Sequence, residues 1–159
     1  MKKMSLRSVA VAALAASAIA FATAGPAAAD GKIDWKNKQT GLCLFADSTI
    51  GALLDNCEKY PDYWYDEIWP SLGNNWMEHL NDDQVWCLDS NTRGSVYIGR
   101  CDNPRNNKNQ LWSEEKWSKG WVLKNVATGR CLGSGNTEGI YTFAKTYPCN
   151  SSDDRIYWE

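Results

Sequence analysis

A cysteine spacing that occurs three times constrains the fold more than any other feature. Cys43, Cys87 and Cys131 stand 44 residues apart, and each is followed directly by a leucine. A second cysteine follows after 14, 14 and 18 residues, and a tryptophan then follows after 12, 11 and 9 residues. These later positions are Cys57, Cys101 and Cys149 for the cysteines, and Trp69, Trp112 and Trp158 for the tryptophans. The chain is therefore three copies of one unit of about 44 residues.

The N-terminal segment has the pattern of an export signal. Lys2, Lys3 and Arg7 precede an apolar run over 9–24, and the alanines of 27–29 supply the A-x-A pattern that a signal peptidase reads. This run of sixteen residues is shorter than the roughly 20 that a membrane-spanning helix needs. We expect a bacterial Sec-type signal peptide over residues 1–29, cleaved before Asp30, and one secreted domain over 30–159.

The six cysteines all lie in the exported part, where an even number is typical of a disulfide framework. Metal binding is the competing interpretation, but the sequence has no C-x-x-C pair and a single histidine, His79. We expect no metal and no other cofactor. A cystine that joins two strands across a turn fits a spacing of 14, so we pair the cysteines within units. The predicted disulfides are Cys43–Cys57, Cys87–Cys101 and Cys131–Cys149, each stabilising the fold by about 3 kcal/mol through loop-closure entropy.

Each unit is predicted to consist of short β-strands separated by turns. In the second unit a strand begins at Cys87, residues 89–94 (DSNTRG) are rich in turn formers, and 95–98 (SVYI) favour a strand again. No stretch of the exported part has a sustained helical period of apolar residues. Three such units that close on one another leave no long unpaired edge. We predict an all-β barrel with pseudo-threefold symmetry and lobes at approximately 30–73, 74–118 and 119–159.

The unit resembles the repeat of the ricin B-chain-type β-trefoil family. In the second unit the resemblance is carried by Cys87-Leu88-Asp89 together with Asn109-Gln110-Leu111-Trp112. The segments TGLCL (40–44) and TGRCL (128–132) match the strand opening in the other units, where Glu67-Ile68-Trp69 and Ile156-Tyr157-Trp158 are degenerate forms of the Q-x-W element. The resemblance covers the exported part. It implies a β-trefoil that binds sugars, commonly galactose- or xylan-type glycans, as a lectin or glycan-binding module.

The resemblance also implies which residues form a sugar site. A carboxylate accepts hydrogen bonds from two sugar hydroxyls, an aromatic ring packs on the C–H face of the sugar, and an amide completes the polar contacts. In the second lobe Asp89 and Asn109 hold the carboxylate and amide positions, but Gly99 stands at the aromatic position. Tyr97, two residues earlier, shares that strand face and is either a displaced platform or an ordinary cross-strand aromatic. Gln110 completes the site as a brace for the asparagine or the backbone.

The other two lobes lack parts of this set. The third lobe has Tyr147 at the aromatic position but Gly133 and Arg155 at the carboxylate and amide positions, so it is a weaker candidate. The first lobe has Phe45, Asp55 and Asp66 at the carboxylate, aromatic and amide positions. The second lobe is the only one in which we expect a sugar site.

The remaining aromatic residues suggest a second kind of surface. Tyr60, Tyr63, Trp64 and Tyr65 lie within six residues and alternate with acids. Tyrosine and tryptophan are enriched at protein interfaces, so this segment is a candidate protein-interaction surface. The alternative is a longer loop that folds over its own lobe. Trp69, Trp112 and Trp158 are predicted to fill the core instead, one beneath each lobe.

Charge and motifs exclude several classes of function. The exported part carries 14 Lys and Arg against 19 Asp and Glu, a net charge of −5 without a basic cluster, which argues against nucleic acid and membrane as partners. Neither G-x-S-x-G nor H-E-x-x-H occurs, so we do not predict an enzyme. Two hypotheses remain. One is a secreted carbohydrate-binding trefoil; the other is a trefoil with decayed sugar sites that binds protein as an adaptor subunit or protease inhibitor.

Overall fold

The computed structural model describes residues 31–47, 50–59, 64–72, 75–80 and 86–159. The predicted signal peptide and its cleavage point lie outside these residues. The regular structure of the described part is β-strand and short 3-10 turns, which confirms the predicted all-β class, and none of its helices is long and apolar enough to span a membrane. The strands are β1 (Gly31–Ile33), β2 (Cys43–Asp47), β3 (Gly51–Asp55), β4 (Trp64–Trp69), β5 (Asn75–Leu80), β6 (Trp86–Ser90), β7 (Val96–Arg100), β8 (Leu111–Trp117), β9 (Gly120–Asn125), β10 (Arg130–Glu138) and β11 (Tyr141–Pro148).

Antiparallel pairing links the described strands into one continuous sheet in the order β1-β4-β5-β8-β9-β10-β11-β3-β2, with β6 attached to β5 and β7. Each unit contributes one hairpin, β2–β3, β6–β7 or β10–β11. The three hairpins meet, because Thr142 of β11 pairs with Leu54 of β3 and Ser95 beside β7 bridges to Lys145 of β11. The arrangement fits the predicted pseudo-threefold barrel.

Three disulfides confirm the pairing of cysteines within units. They join Cys43 to Cys57, Cys87 to Cys101 and Cys131 to Cys149, and the described residues contain no free cysteine. Each one ties the first strand of a hairpin to the segment that follows its second strand. The cysteine that begins each hairpin is buried.

A tryptophan packs beneath each hairpin in the same way. In every unit its indole Nε1 donates to the carbonyl of the leucine that follows the first cysteine. These bonds join Trp64 to Leu44 (2.9 Å), Trp112 to Leu88 (3.1 Å) and Trp158 to Leu132 (3.1 Å). All six residues belong to the main hydrophobic core.

The core tryptophan of the first unit is therefore Trp64, and the prediction that Trp69 fills this position is wrong. Trp69, at the far end of β4, packs partly buried against a small cluster that includes Cys87 and Leu111. The tryptophan follows the second cysteine by 7 residues in this unit but by 11 and 9 in the others, so counting from Cys57 selects Trp69. The predicted core positions of Trp112 and Trp158 are confirmed.

An asparagine six residues before the first cysteine joins neighbouring units. The buried Asn125 donates from Nδ2 to the carbonyls of Asn109 and Leu111 over 2.6 and 3.3 Å. Asn37 makes the same two bonds to Arg155 and Tyr157, over 2.7 and 3.3 Å. These bonds hold the segments before Trp112 and Trp158 in place, so Arg155 is the structural equivalent of Asn109.

Candidate functional site

The centre of the second lobe is a buried carboxylate, Asp89, on β6. Its Oδ2 accepts hydrogen bonds from Gln110 Nε2 at 3.1 Å and Asn107 Nδ2 at 3.3 Å. Its Oδ1 is enclosed and has no hydrogen-bond partner among the described residues. A buried carboxylate oxygen without a partner is costly, so this atom is the clearest sign of a ligand contact in the lobe.

Gln110 positions Asp89 and uses its whole amide in doing so. Besides the bond to Asp89, its Nε2 donates to the Arg100 carbonyl at 2.8 Å, and its Oε1 accepts from the Asp102 backbone N–H at 2.9 Å. The side chain is 1 % exposed. Gln110 therefore fixes the position of Asp89. Both the nitrogen and the oxygen of its side-chain amide are hydrogen-bonded within the protein.

Asn107 is a site residue that the sequence analysis missed. It caps the 3-10 turn Lys108–Gln110, where its Oδ1 accepts from the backbone N–H and the side-chain Nδ2 of Asn109 over 3.1 and 3.2 Å. Its own Nδ2 reaches Asp89. The link between Asn109 and Asp89 thus runs through Asn107. The capping role of Asn107 could be expected from the sequence, because an asparagine side chain commonly bonds to the backbone two residues on, but its contact with Asp89 could not.

Tyr97 lies directly opposite Asp89 in the β6–β7 hairpin. Its side chain is 39 % exposed, which leaves an aromatic surface beside the carboxylate. Burial raises the pKa of the Tyr97 hydroxyl, and the negative charge of the neighbouring Asp89 carboxylate raises this pKa further. The structure therefore brings together Asp89, Tyr97, Gln110 and, through Asn107, Asn109.

Gly99 leaves room for a Cβ atom next to these residues. A Cβ atom built on it would lie 3.5 Å from Gln110 Nε2 and 3.6 Å from Asp89 Oδ2, both ordinary contact distances. The aromatic position of the family therefore faces the carboxylate in this chain. Gly99 places no side chain at this position. Among the described residues, Tyr97 is the aromatic residue that lies opposite Asp89 in the hairpin.

In the third lobe the face of Tyr147 is covered. The Arg155 guanidinium lies 3.8 Å from the centre of the ring, and Asp153 holds it through bonds of 2.9 and 2.7 Å. These hydrogen bonds lower the pKa of the Asp153 carboxyl and raise that of Arg155. Because a cation covers one face of this ring, the structure gives no support to Tyr147 as a weaker sugar platform.

The described residues of the first lobe do not form the set of groups that a sugar site needs. Asp55 is paired with Lys59 at 2.9 Å, and this hydrogen bond lowers the pKa of the Asp55 carboxyl. Asp66 does not lie at an amide position, because it follows the core residue Trp64 by two and is itself buried. It accepts from the Gly31 backbone N–H at 3.0 Å.

The aromatic segment is only partly a surface. Trp64 is fully buried, so its assignment to an interaction surface is wrong. Tyr65 stacks on His79, with ring centres 5.6 Å apart and an interplanar angle of 2°. Tyr60 and Tyr63 lie outside the described residues. No group of three or more His, Cys, Asp or Glu in the described ranges could hold a metal ion.

Comparison with known proteins identifies the fold. No family model and no curated protein matches the sequence. Two solved structures of cytolethal distending toxin, from Haemophilus ducreyi and Actinobacillus actinomycetemcomitans, match 79 % of this chain at a TM-score of 0.62 and 13 % identity, and cover 80 % and 87 % of their own chains. Cry35Ab1 matches the same share at a TM-score of 0.62 and 16 % identity, over 34 % of its chain. The chain has a ricin-B-like β-trefoil fold.

Proposed function

We propose that the chain is a secreted, non-catalytic carbohydrate-binding protein with one sugar site, in its second lobe. The observation that carries this proposal is the state of Asp89, whose Oδ2 is held by two amides while its enclosed Oδ1 lacks a partner. A sugar hydroxyl that donates to Oδ1 would satisfy this atom. Because Oδ1 is enclosed, a ligand reaches it only after neighbouring groups move, and the half-exposed Tyr97 side chain opposite Asp89 would then pack against the sugar ring.

The ligand class is a galactose- or xylan-type glycan. A site with one carboxylate and one aromatic ring suits a single terminal or exposed sugar residue. The alternative, protein binding through the aromatic segment, loses one of its four residues, since Trp64 is in the core.

A glycan array followed by titration calorimetry tests the proposal. The Asp89→Asn variant keeps the shape and the oxygen that Gln110 and Asn107 bind but removes the charge, so we expect at least about tenfold weaker glycan binding. Asp102→Asn is the matched control, because it makes the same charge change at an exposed position of the same lobe. Absence of glycan binding in the wild type, or equal affinity in Asp89→Asn, contradicts the proposal.

A further inference from the structure

Exposed apolar side chains concentrate at one place outside the second lobe. Among the described residues four large apolar side chains are exposed, and three of them border a single cavity. They are Ile50 at 37 %, Tyr141 at 39 % and Ile140 at 87 % exposure. A concentration of this kind on a small chain marks an interaction site more often than an isolated exposed residue does.

The cause of this exposure is a longer hairpin in the third lobe. The cysteines of that unit are 18 residues apart, four more than in the other units. β10 and β11 have nine and eight residues, whereas β6 and β7 have five each. The hairpin reverses at Gly139, whose φ of 63° suits glycine, and this turn places Ile140 at the tip. The extra residues at the tip take part neither in the Cys131–Cys149 disulfide nor in the hydrogen bond of the core tryptophan Trp158.

The long hairpin leans on the first lobe and forms a cavity there. Thr142 and Phe143 of β11 pair with Leu54 and Leu53 of β3, so the tip continues past the end of that pairing. The cavity of about 320 Å³ lies between the tip and the first-lobe hairpin, with the buried Leu53 and Leu54 in its lining. Its size is near the lower limit of ligand pockets and admits one or two side chains.

The charges around the cavity are mainly negative. Its lining contains Asp47, Asp55 and Lys59, a net charge of −1. Glu138, opposite Tyr141 in the hairpin, adds an exposed carboxylate at the tip. A partner that carries a positive charge next to an apolar group complements this surface.

We propose that this cavity is a protein-docking site that receives an apolar side chain flanked by a lysine or arginine of a partner polypeptide. An apolar side chain would pack on Leu53 and Leu54 and be covered by Ile50 and Ile140, while the neighbouring cation faces the acidic rim. The two aliphatic rim residues offer a sugar no hydrogen bonds, Asp55 is already paired with Lys59, and Asp47 already accepts from the Ile50 N–H, which favours a polypeptide over a glycan. The site is separate from Asp89, so it stands or falls independently of the second-lobe sugar site.

Selection from a phage-displayed library of random disulfide-closed heptapeptides tests this site on the folded, disulfide-bonded protein. We expect enriched peptides that combine Leu, Ile, Phe or Tyr with an adjacent Lys or Arg. Ile140→Ser should weaken a selected peptide at least about tenfold without lowering the melting temperature, because this side chain is 87 % exposed. Asp47→Asn keeps a side-chain oxygen at the position of the carboxylate oxygen that accepts from the Ile50 N–H, and it should reduce both affinity and its salt dependence.

Tyr97→Ala is the matched control, since Tyr97 is the other exposed large apolar residue and lies at the second-lobe site. It should bind the selected peptides as the wild type does. Failure to select any peptide, selection of peptides without a basic residue, or unchanged peptide binding in Ile140→Ser overturns the proposal. Loss of glycan binding in Ile140→Ser also overturns it, because the rim would then belong to a sugar site.

Discussion

Asp89 and Gly133 hold the same position in two lobes, and their surroundings explain why only one can be a carboxylate. Asp89 is held by two amides, and the adjacent Gly99 leaves room for a Cβ at ordinary contact distance. A Cβ at Gly133 would lie 2.9 Å from the Arg155 carbonyl oxygen and 3.1 Å from the Tyr147 ring. In the third lobe, the Arg155 backbone and the Tyr147 ring therefore occupy the space that a side chain at position 133 would need.

The third lobe should not accept a restored carboxylate without loss of stability. Gly133→Asp should lower the free energy of unfolding by about 1–3 kcal/mol, because the new side chain displaces backbone and a packed ring. It should also fail to add a second sugar site. Urea denaturation and glycan titration measure the two effects. Gly99→Ala is the control, since its Cβ meets ordinary contacts, and a change beyond about 0.5 kcal/mol there would contradict the comparison.

At the scale of the element, β4 shows how one strand can carry two tryptophans with different roles. Trp64 begins the strand beneath the first hairpin, and its indole bonds to Leu44. Trp69 ends the strand near the second lobe, where its buried Nε1 has no partner among the described residues. The strand thus joins the core of one unit to the packing of the next.

Replacement of each tryptophan tests this assignment. Trp64→Ala should destabilise the protein by about 3–5 kcal/mol, as expected for a fully buried aromatic residue, and Trp112→Ala should cost about the same. Trp69→Ala should cost clearly less, because Trp69 is partly exposed and makes no indole hydrogen bond in the described structure. Denaturant unfolding compares the three variants. If Trp69→Ala destabilises the protein more than Trp64→Ala does, Trp64 is not the core tryptophan of the first unit.

The repeat could be predicted from the sequence because disulfides and hairpins depend on local spacing. The pairing of Cys87 with Cys101 and the placement of Asp89 opposite Tyr97 both follow from one short hairpin. Contacts made by residues in turns were harder to predict from the sequence. Asn107 reaches Asp89 only because a 3-10 turn redirects the chain, and Arg155 covers Tyr147 only because Asp153 holds it there. Neither effect has a spacing that the sequence displays.

At the scale of the whole molecule, the barrel interior contains an unusual acidic cluster formed by three strands. Asp66 of β4 lies opposite Glu78 of β5, and Glu114 of β8 approaches both. Trp35 donates its indole N–H to Glu78 Oε2 at 3.1 Å, whereas the Oε1 atoms of Glu78 and Glu114 are buried without partners among the described residues. Three carboxylates this close cannot all be ionised at low cost.

Protonation relieves this cost. Burial, followed by the negative charges of Glu114 and Asp66, raises the pKa of Glu78 well above its ordinary value. Burial likewise raises the pKa of Glu114 from 4.5 to about 7, with a further contribution from the charge of Asp66 and an opposing one from a hydrogen bond to Glu78. A proton held between the two glutamates is the arrangement that satisfies both.

The stability of the barrel should therefore decrease as the pH rises. Groups with a raised pKa in the folded state stabilise it fully below their unfolded pKa, near 4.5, and lose this contribution as the pH passes through about 7. Between pH 5 and pH 8 the free energy of unfolding should fall by about 2 kcal/mol through Glu114, as measured by urea denaturation at several pH values.

Glu114→Gln, which is neutral throughout, should show a smaller fall in the free energy of unfolding. Its neighbour Glu115, which contacts Lys124 at 3.8 Å, supplies the control, and Glu115→Gln should keep the wild-type dependence. A wild-type protein that gains stability between pH 5 and pH 8, or an unchanged dependence in Glu114→Gln, would show that the cluster is ionised in the folded state.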